Sequence, residues 1–141
     1  LMLAHTATRQ AEVAVNNIAG RADTMHYDAI PSVVYTNPEI AGVGYTEDRL
    51  KAEGKAYRVK RLPMTFSGRF VAENEGGNGL CKLIFDDRNI IVGCHMIGNP
   101  SSEIIAVAAL AIEQQLTAER FEKLIFPHPS VGEIIKETLF A

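Results

Sequence analysis

Apolar residues near the N-terminus repeat with the period of a helix. They recur every three or four positions, at Ala4, Ala7, Ala11, Ala14 and Ile18. Gly20 follows this run, and glycine is a common residue just past the end of a helix. The pattern therefore predicts an apolar helix that ends near Gly20, with a polar connector over residues 21–28 behind it.

Later segments have the short apolar runs or the alternation of β-strands. They cover residues 32–35, 40–45, 57–64, 80–85 and 90–97. Within 57–64 the apolar phase changes between Val59 and Leu62, which predicts a β-bulge or a bend. Residues 86–89 predict a hairpin loop. Residues 66–79 show no regular period and end in a glycine-rich turn.

Further helices are predicted in the gaps between these strands and after the last one. Thr46 is placed to cap a helix that extends to Gly54. Residues 100–116 predict a long helix whose middle is apolar on all sides, which indicates burial on more than one side and a subunit or domain interface. Shorter helices are predicted over 118–124 and 130–140. This order predicts an α+β fold with a mostly antiparallel sheet and helices on one face.

Composition narrows the classes of partner. The 141 residues carry 14 basic and 17 acidic side chains, a net charge of -3, which argues against nucleic acid or an anionic membrane as partner. No apolar run approaches the ~20 residues that a membrane-spanning helix needs. The two cysteines, Cys81 and Cys94, indicate a reducing compartment and predict a cytoplasmic localisation. A disulfide between them across the hairpin stays open as the less favoured alternative.

The segment from Phe126 to Glu133 carries the candidate chemistry. His128 lies between two prolines, and a residue before proline is held in an extended conformation. Glu133 falls in the first turn of the following helix, from which a carboxylate can reach back to the imidazole. This arrangement is typical of a histidine general base oriented by a carboxylate. We also expect a cis peptide bond between His128 and Pro129.

A simpler explanation exists for Glu133. Ser130 and Glu133 have the spacing of a capping box, in which the serine hydroxyl and the glutamate each satisfy a backbone N–H at the start of a helix. On spacing alone the cap is the commoner explanation. The two roles are compatible because a carboxylate has two oxygens.

Residues 127–133, Pro-His-Pro-Ser-Val-Gly-Glu, resemble the His-Pro-x-x-x-Glu signature of the pyridine nucleotide–disulfide oxidoreductases. Other segments resemble the same family in the same order along nearly the whole chain: residues 2–5, 30–44, 93–98 and 102–103. Within the family the similarity is greatest to the dihydrolipoyl dehydrogenases. Three positions depart from the pattern of these enzymes. Leu1 stands where a proline is usual, Phe126 where many members have a second histidine, and Gly132 where many have a serine.

The resemblance implies the fold of the FAD/NAD-linked reductase dimerisation domain, over residues 29–141. Residues 1–28 would then be the last helix of an FAD domain with its connector, and Met2, Leu3, Ala4 and His5 would contact FAD. The intact enzyme would be a homodimer that oxidises dihydrolipoamide on a lipoyl-bearing protein and passes electrons through a disulfide and FAD to NAD. His128 would be its base, oriented by Glu133.

The chain itself opens almost inside an apolar helix and has neither an active-site cysteine pair nor a glycine-rich dinucleotide fingerprint. We therefore expect a fragment of a larger protein that binds no cofactor and has no activity alone. Two alternatives stay open, the same domain of a glutathione-reductase-like enzyme and a non-catalytic dimerisation module. No metal site is expected, since Cys94 and His95 face opposite sides of a strand. His5 and His26 are expected to be structural, as is His95.

Overall fold

The computed structural model describes residues 2–141, so Leu1, one of the three departures, lies outside the described residues. In chain order its helices and strands are α1 (Ala4–Ile18), β1 (Ser32–Val34), β2 (Ile40–Gly44), α2 (Glu47–Ala52), β3 (Arg58–Pro63), α3 (Gly68–Glu73), β4 (Leu80–Phe85), β5 (Ile91–Ile97), α4 (Ser101–Glu113), α5 (Ala118–Phe121) and α6 (Glu133–Glu137). Short 3-10 turns occupy Tyr27–Ala29, Met64–Phe66 and Thr138–Phe140.

The strands form one antiparallel sheet in the order β1-β2-β5-β4-β3. The central hairpin, β4 and β5, turns at Asp86, whose carboxylate accepts the N–H groups of Arg88 and Ile90. Helix α4 packs across β2 and β5, and α6 packs on β4. The predicted α+β fold with an antiparallel sheet is confirmed.

The main core lies between the sheet and these helices. The sheet contributes Val43, Leu83, Phe85, Cys94 and Met96, and the helices contribute Ile105, Ala108, Ile134 and Ile135. All of these side chains are buried. Burying a large aliphatic or aromatic side chain stabilises a fold by about 1.5–3 kcal/mol. The core therefore fixes α6, and with it Glu133, on the sheet.

Helix α2 contributes to the opposite face of the sheet. Its Leu50 is buried, as is Ile84 of β4, and both lie outside the main core. Thr46 caps the helix as predicted, because its hydroxyl accepts the N–H of Arg49 at 3.2 Å. Glu47 accepts hydrogen bonds from Arg61 and Lys82 on the same face of the sheet.

The predicted bulge in β3 is wrong. The pairing of β3 with β4 runs without interruption from Arg58 to Pro63. The apolar phase changes because Lys60 occupies a position on the core side, next to Leu62, and its ammonium donates to the carbonyl of Leu139. The irregularity of the sheet lies instead between Ile84 and Phe85, where β4 pairs with β5.

Two helices differ from the sequence predictions. Helix α3 was not predicted; Ser67 caps it and Phe70 is its buried side chain. Helix α6 begins at Glu133 rather than at Ser130, because residues 131–132 form a turn before it. The long helix α4 is confirmed, but one side of it is open, with Leu110 61% exposed. Among residues 2–141 no helix is long and apolar enough to cross a membrane.

Candidate active site

His128 and Glu133 form a hydrogen-bonded pair. Nδ1 of His128 lies 2.9 Å from Oε1 and 3.2 Å from Oε2 of Glu133. An ionised carboxylate can only accept, so we assign the proton of the neutral imidazole to Nδ1. Nε2 has no hydrogen-bond partner among residues 2–141. With a side chain 82% exposed, His128 presents Nε2 as a free proton acceptor.

The backbone on either side holds this pair in place. His128 lies between Pro127 and Pro129, and the peptide bond from His128 to Pro129 is cis, as predicted. After the loop, Val131 enters the core, and Ile134 and Ile135 of α6 are completely buried. The side chain of Glu133 is 24% exposed, so the carboxylate is partly shielded while the imidazole is open.

Glu133 bonds the turn before α6 as well as the imidazole. Its Oε2 accepts the backbone N–H of Ser130 at 2.8 Å. The Ser130 N–H and, after it, the His128 ring hold the pKa of Glu133 below its usual value. One carboxylate therefore contacts both the backbone N–H of Ser130 and the His128 ring.

The serine half of the predicted capping box is wrong. Gly132 is the N-cap of α6, and no side chain caps the helix. The Ser130 hydroxyl is buried and has no hydrogen-bond partner among residues 2–141. Because the helix begins after Gly132, the Ser130 hydroxyl is not placed to cap it.

Sequence reasoning missed a residue on the other side of this loop. Ser67, which precedes α3, donates its hydroxyl proton to the carbonyl oxygen of Ser130 at 3.2 Å. Ser67 is buried, with 5% of its surface exposed. The two serines are 63 residues apart in the chain, and no local pattern links positions so distant.

The two departures from the family pattern next to His128 are neighbours in space. A Cβ atom built on Gly132 would lie 3.7 Å from Cδ1 of Phe126, which is an ordinary contact distance. The Phe126 ring also packs on Phe121, with ring centroids 6.1 Å apart. A small side chain at position 132 would therefore fit against the phenyl ring, and the two positions lie side by side in the loop that carries His128.

The candidate flavin-contacting residues lie at the start of α1. Met2, Ala4 and His5 are exposed and Leu3 is partly buried, while the His5 ring hydrogen-bonds the carbonyl of Pro31 at 2.8 Å. The helix has no side-chain N-cap and no acidic residue in its first turn. No hydrogen bond among residues 2–141 joins these residues to His128 or Glu133.

The cysteines lie apart from this site. Both are free and completely buried, and the register places them diagonally, with Cys81 opposite Met96 and Cys94 opposite Leu83. The contact with Cys81, together with burial, raises the pKa of the Cys94 thiol. Neither thiol reaches the surface on which the His128 ring is exposed.

The other histidines have structural surroundings. His95 is half-buried on the opposite face of the sheet from Cys94, and this burial lowers its pKa. His26 bonds Glu113 at the end of α4, with Nδ1 2.8 Å from the carboxylate. Within residues 2–141 no three His, Cys, Asp or Glu side chains converge as a metal site requires.

Comparison with known proteins places the chain in a family. Residues 30–139 match the family model described as pyridine nucleotide-disulphide oxidoreductase, dimerisation domain. The chain is 38% identical over 137 residues to dihydrolipoyl dehydrogenase 3 of Pseudomonas putida, covering 96% of this chain and 29% of the relative. It is 38% identical over 141 residues to the mitochondrial dihydrolipoyl dehydrogenase of Caenorhabditis elegans, covering 99% of this chain and 28% of that relative.

Solved structures share the fold. LpdA from Mycobacterium tuberculosis superposes with a TM-score of 0.90 at 24% identity, over 99% of this chain and 31% of that one. The HOCl-induced flavoprotein disulfide reductase RclA of Escherichia coli gives a TM-score of 0.85 at 21% identity, over 99% of this chain and 33% of that one. The chain thus spans less than a third of the length of the curated relatives.

Proposed function

The chain belongs to the pyridine nucleotide-disulphide oxidoreductase family, as a dimerisation domain, and from this premise we propose that it supplies the catalytic base of a dihydrolipoyl dehydrogenase. The observation that carries the proposal is the 2.9 Å contact between Glu133 and Nδ1 of the exposed His128. It leaves Nε2 free to take a proton from a substrate thiol.

The chemistry needs such a base because the thiolate, and not the thiol, attacks a disulfide. Nε2 of His128 removes the proton of one dihydrolipoamide thiol. The thiolate then attacks one sulfur of a disulfide, which breaks that bond, forms a mixed disulfide and releases one enzyme thiolate that takes the proton from the imidazolium. Nε2 next removes the proton of the second substrate thiol, whose thiolate attacks the substrate sulfur of the mixed disulfide and releases the second enzyme sulfur. The products are a lipoamide disulfide and two enzyme thiols, and the protons pass from substrate to enzyme through the imidazole. Glu133 stabilises the imidazolium that forms between these steps.

The disulfide must come from outside the residues that surround His128. Cys81 and Cys94 are buried in the core and are free thiols. We therefore assign the reacting disulfide to another part of a longer enzyme, on the second subunit of a homodimer. An active site shared in this way accounts for a base that is 82% exposed in the single chain.

The proposed subunit interface is the open side of α4. Ala106 and Leu110 are exposed there, although the helix is apolar along most of its length. A contiguous apolar surface of this kind is typical of a subunit contact. The partner that docks at the finished dimer would be a lipoyl-bearing protein.

The cofactors of the proposed enzyme are FAD and NAD, which supply the two-electron path from the dithiol to the nicotinamide. Residues 1–28 would belong to the FAD domain and residues 29–141 to the dimerisation domain. Helix α1 buries only Thr6, which supports a helix that completes another domain. Met2, Leu3 and Ala4 stand at its uncapped start, where they can meet a flavin held mainly by that domain. On this proposal the 141-residue chain has no activity alone.

Phe126 and Gly132 favour one second candidate, the same domain of a related disulfide reductase with another substrate. Both residues depart from the lipoamide pattern, and a Cβ atom built on Gly132 would contact the Phe126 ring. Rates with dihydrolipoamide and with glutathione, measured on the full-length enzyme, distinguish the two. The two buried free thiols support a reducing, cytoplasmic setting for either.

The base itself is tested in the full-length enzyme with His128→Gln. Dihydrolipoamide should then reduce the flavin far more slowly, while flavin content and melting temperature are unchanged.

A further inference from the structure

We propose that Ser67 is a positioning residue for His128, acting through the Ser130 peptide and Glu133; the inference rests on the proposed role of His128 as the base. Ser67 lies before α3, a helix that makes no part of the His128 loop. Its contribution is to fix the one residue whose N–H holds the Glu133 carboxylate.

Ser67 makes two hydrogen bonds with one hydroxyl. The oxygen accepts the N–H of Phe70 at 3.2 Å, which caps α3. The proton is donated to the carbonyl oxygen of Ser130, also at 3.2 Å. Because Ser67 is buried, water does not compete well for either bond.

Ser130 is therefore fixed at both its carbonyl and its N–H. Ser67 holds the carbonyl, and the N–H is donated to Oε2 of Glu133 at 2.8 Å. The carboxylate in turn contacts Nδ1 of His128. A chain of hydrogen bonds thus connects Ser67, at the start of α3, to the imidazole. It runs through the backbone of Ser130, whose hydroxyl has no partner among residues 2–141.

A purely structural role for Ser67 would be the cap of α3 alone. A cap needs only an acceptor, whereas the Ser67 proton is given to a residue 63 positions away. Replacement by glycine separates the two roles, since glycine is tolerated at an N-cap and has no hydroxyl. Threonine keeps both the acceptor and the donor, so Ser67→Thr should restore what Ser67→Gly loses.

The test measures the tautomer of His128 in the chain by long-range ¹⁵N–¹H NMR at about pH 9, where imidazoles are neutral. We expect the Nδ1–H form to dominate in the wild type. In Ser67→Gly the ratio of Nδ1–H to Nε2–H should fall at least about threefold, the effect of one modest hydrogen bond. Ser67→Thr should return the ratio to the wild-type value.

The matched control is Thr46→Ala, which removes an N-cap bond of the same 3.2 Å length from α2, away from the loop. It should leave the tautomer ratio unchanged. A wild-type ratio in Ser67→Gly overturns the inference, as does an equal change in Thr46→Ala. If Ser67→Gly does not fold, the test rests on Ser67→Thr, which keeps both hydrogen bonds of the hydroxyl. A ratio of Nδ1–H to Nε2–H in folded Ser67→Thr that differs from the wild-type ratio contradicts the inference.

The same variants in the full-length enzyme separate this inference from the proposed function. Loss of flavin reduction in His128→Gln, with no change of rate or tautomer in Ser67→Gly, refutes Ser67 as a positioning residue and leaves the base intact. A tautomer change in Ser67→Gly beside a normal rate in His128→Gln refutes the base and leaves the hydrogen-bonded connection.

Discussion

The Glu133 carboxylate accepts the backbone N–H of Ser130 at 2.8 Å, although the Ser130 hydroxyl takes no part in capping α6. The carboxylate thus closes the turn before the helix, and the buried Ser130 hydroxyl has no partner in the part of the chain that the structure describes, residues 2–141. The glutamate orients an imidazole with its other oxygen. Because one carboxylate makes both contacts, a substitution of Glu133 affects the turn before α6 and the His128 ring together.

We predict that Ser130→Ala leaves the protein equally stable or makes it more stable, by up to about 1 kcal/mol. A buried hydroxyl without a partner costs desolvation free energy, and its removal relieves that cost. A capping serine would give the opposite result, a loss of about 1 kcal/mol. The measurement is the free energy of unfolding in urea. Thr46→Ala, whose hydroxyl does cap a helix, is the control that should lose stability.

The pH dependence of stability should carry the signature of Glu133. Its pKa is lowered in the folded protein from the usual 4.5, so the ionised form stabilises the fold above that pH. This contribution is lost as the pH falls through the lower folded pKa. Glu133→Gln should therefore be less stable than wild type at pH 7, and the gap should shrink steadily in acid.

The measurement is the free energy of unfolding of both proteins at several pH values between about 7 and 3, the range over which carboxylates titrate. The difference between them isolates Glu133 from the other carboxylates, whose effects are common to both. A gap that stays constant with pH would show that the ionised carboxylate contributes nothing to stability.

The proposed dimer interface predicts a specific effect of a charge on α4. Leu110→Glu should weaken self-association of the chain by about 30-fold or more, because a central interface residue can contribute about 2 kcal/mol or more. The measurement is the molar mass of the wild type and the variant by light scattering, across a dilution series in the micromolar range. The control is Ile18→Glu, an exposed apolar position on α1, which should leave the dimer unchanged. A monomeric wild type, or dissociation by Ile18→Glu alone, would contradict the assignment.

Most strands followed from the sequence because each has a local apolar pattern between turn residues. Leu80–Phe85 is such a case, and its burial comes from the same residues that made the pattern. Helix α3 lacks that signal, since it is short and only Phe70 is buried. The bulge in β3 was wrongly predicted because Lys60 faces the core side of the sheet. Its ammonium donates to the backbone carbonyl of Leu139, a distant partner that no local pattern reveals.

The candidate site was predictable to the extent that it is local. His128 and Glu133 are five residues apart, so the helix start brings them together. Their proposed roles came from the resemblance to the family. The spacing alone did not distinguish a helix-capping Glu133 from a Glu133 that orients a catalytic histidine. Ser67 was not predictable, because its bond to Ser130 depends on how α3 packs against the loop.

The most direct test of the account is the rate at which dihydrolipoamide reduces the flavin in the full-length enzyme. Stopped-flow absorbance gives this rate for wild type, His128→Gln and Glu133→Gln, with flavin content and melting temperature measured beside it. We predict a loss of about 10²- to 10⁴-fold in His128→Gln, the usual contribution of a positioned general base. Glu133→Gln should lose less, because it orients the base. A near wild-type rate in His128→Gln would contradict the assignment of His128 as the base.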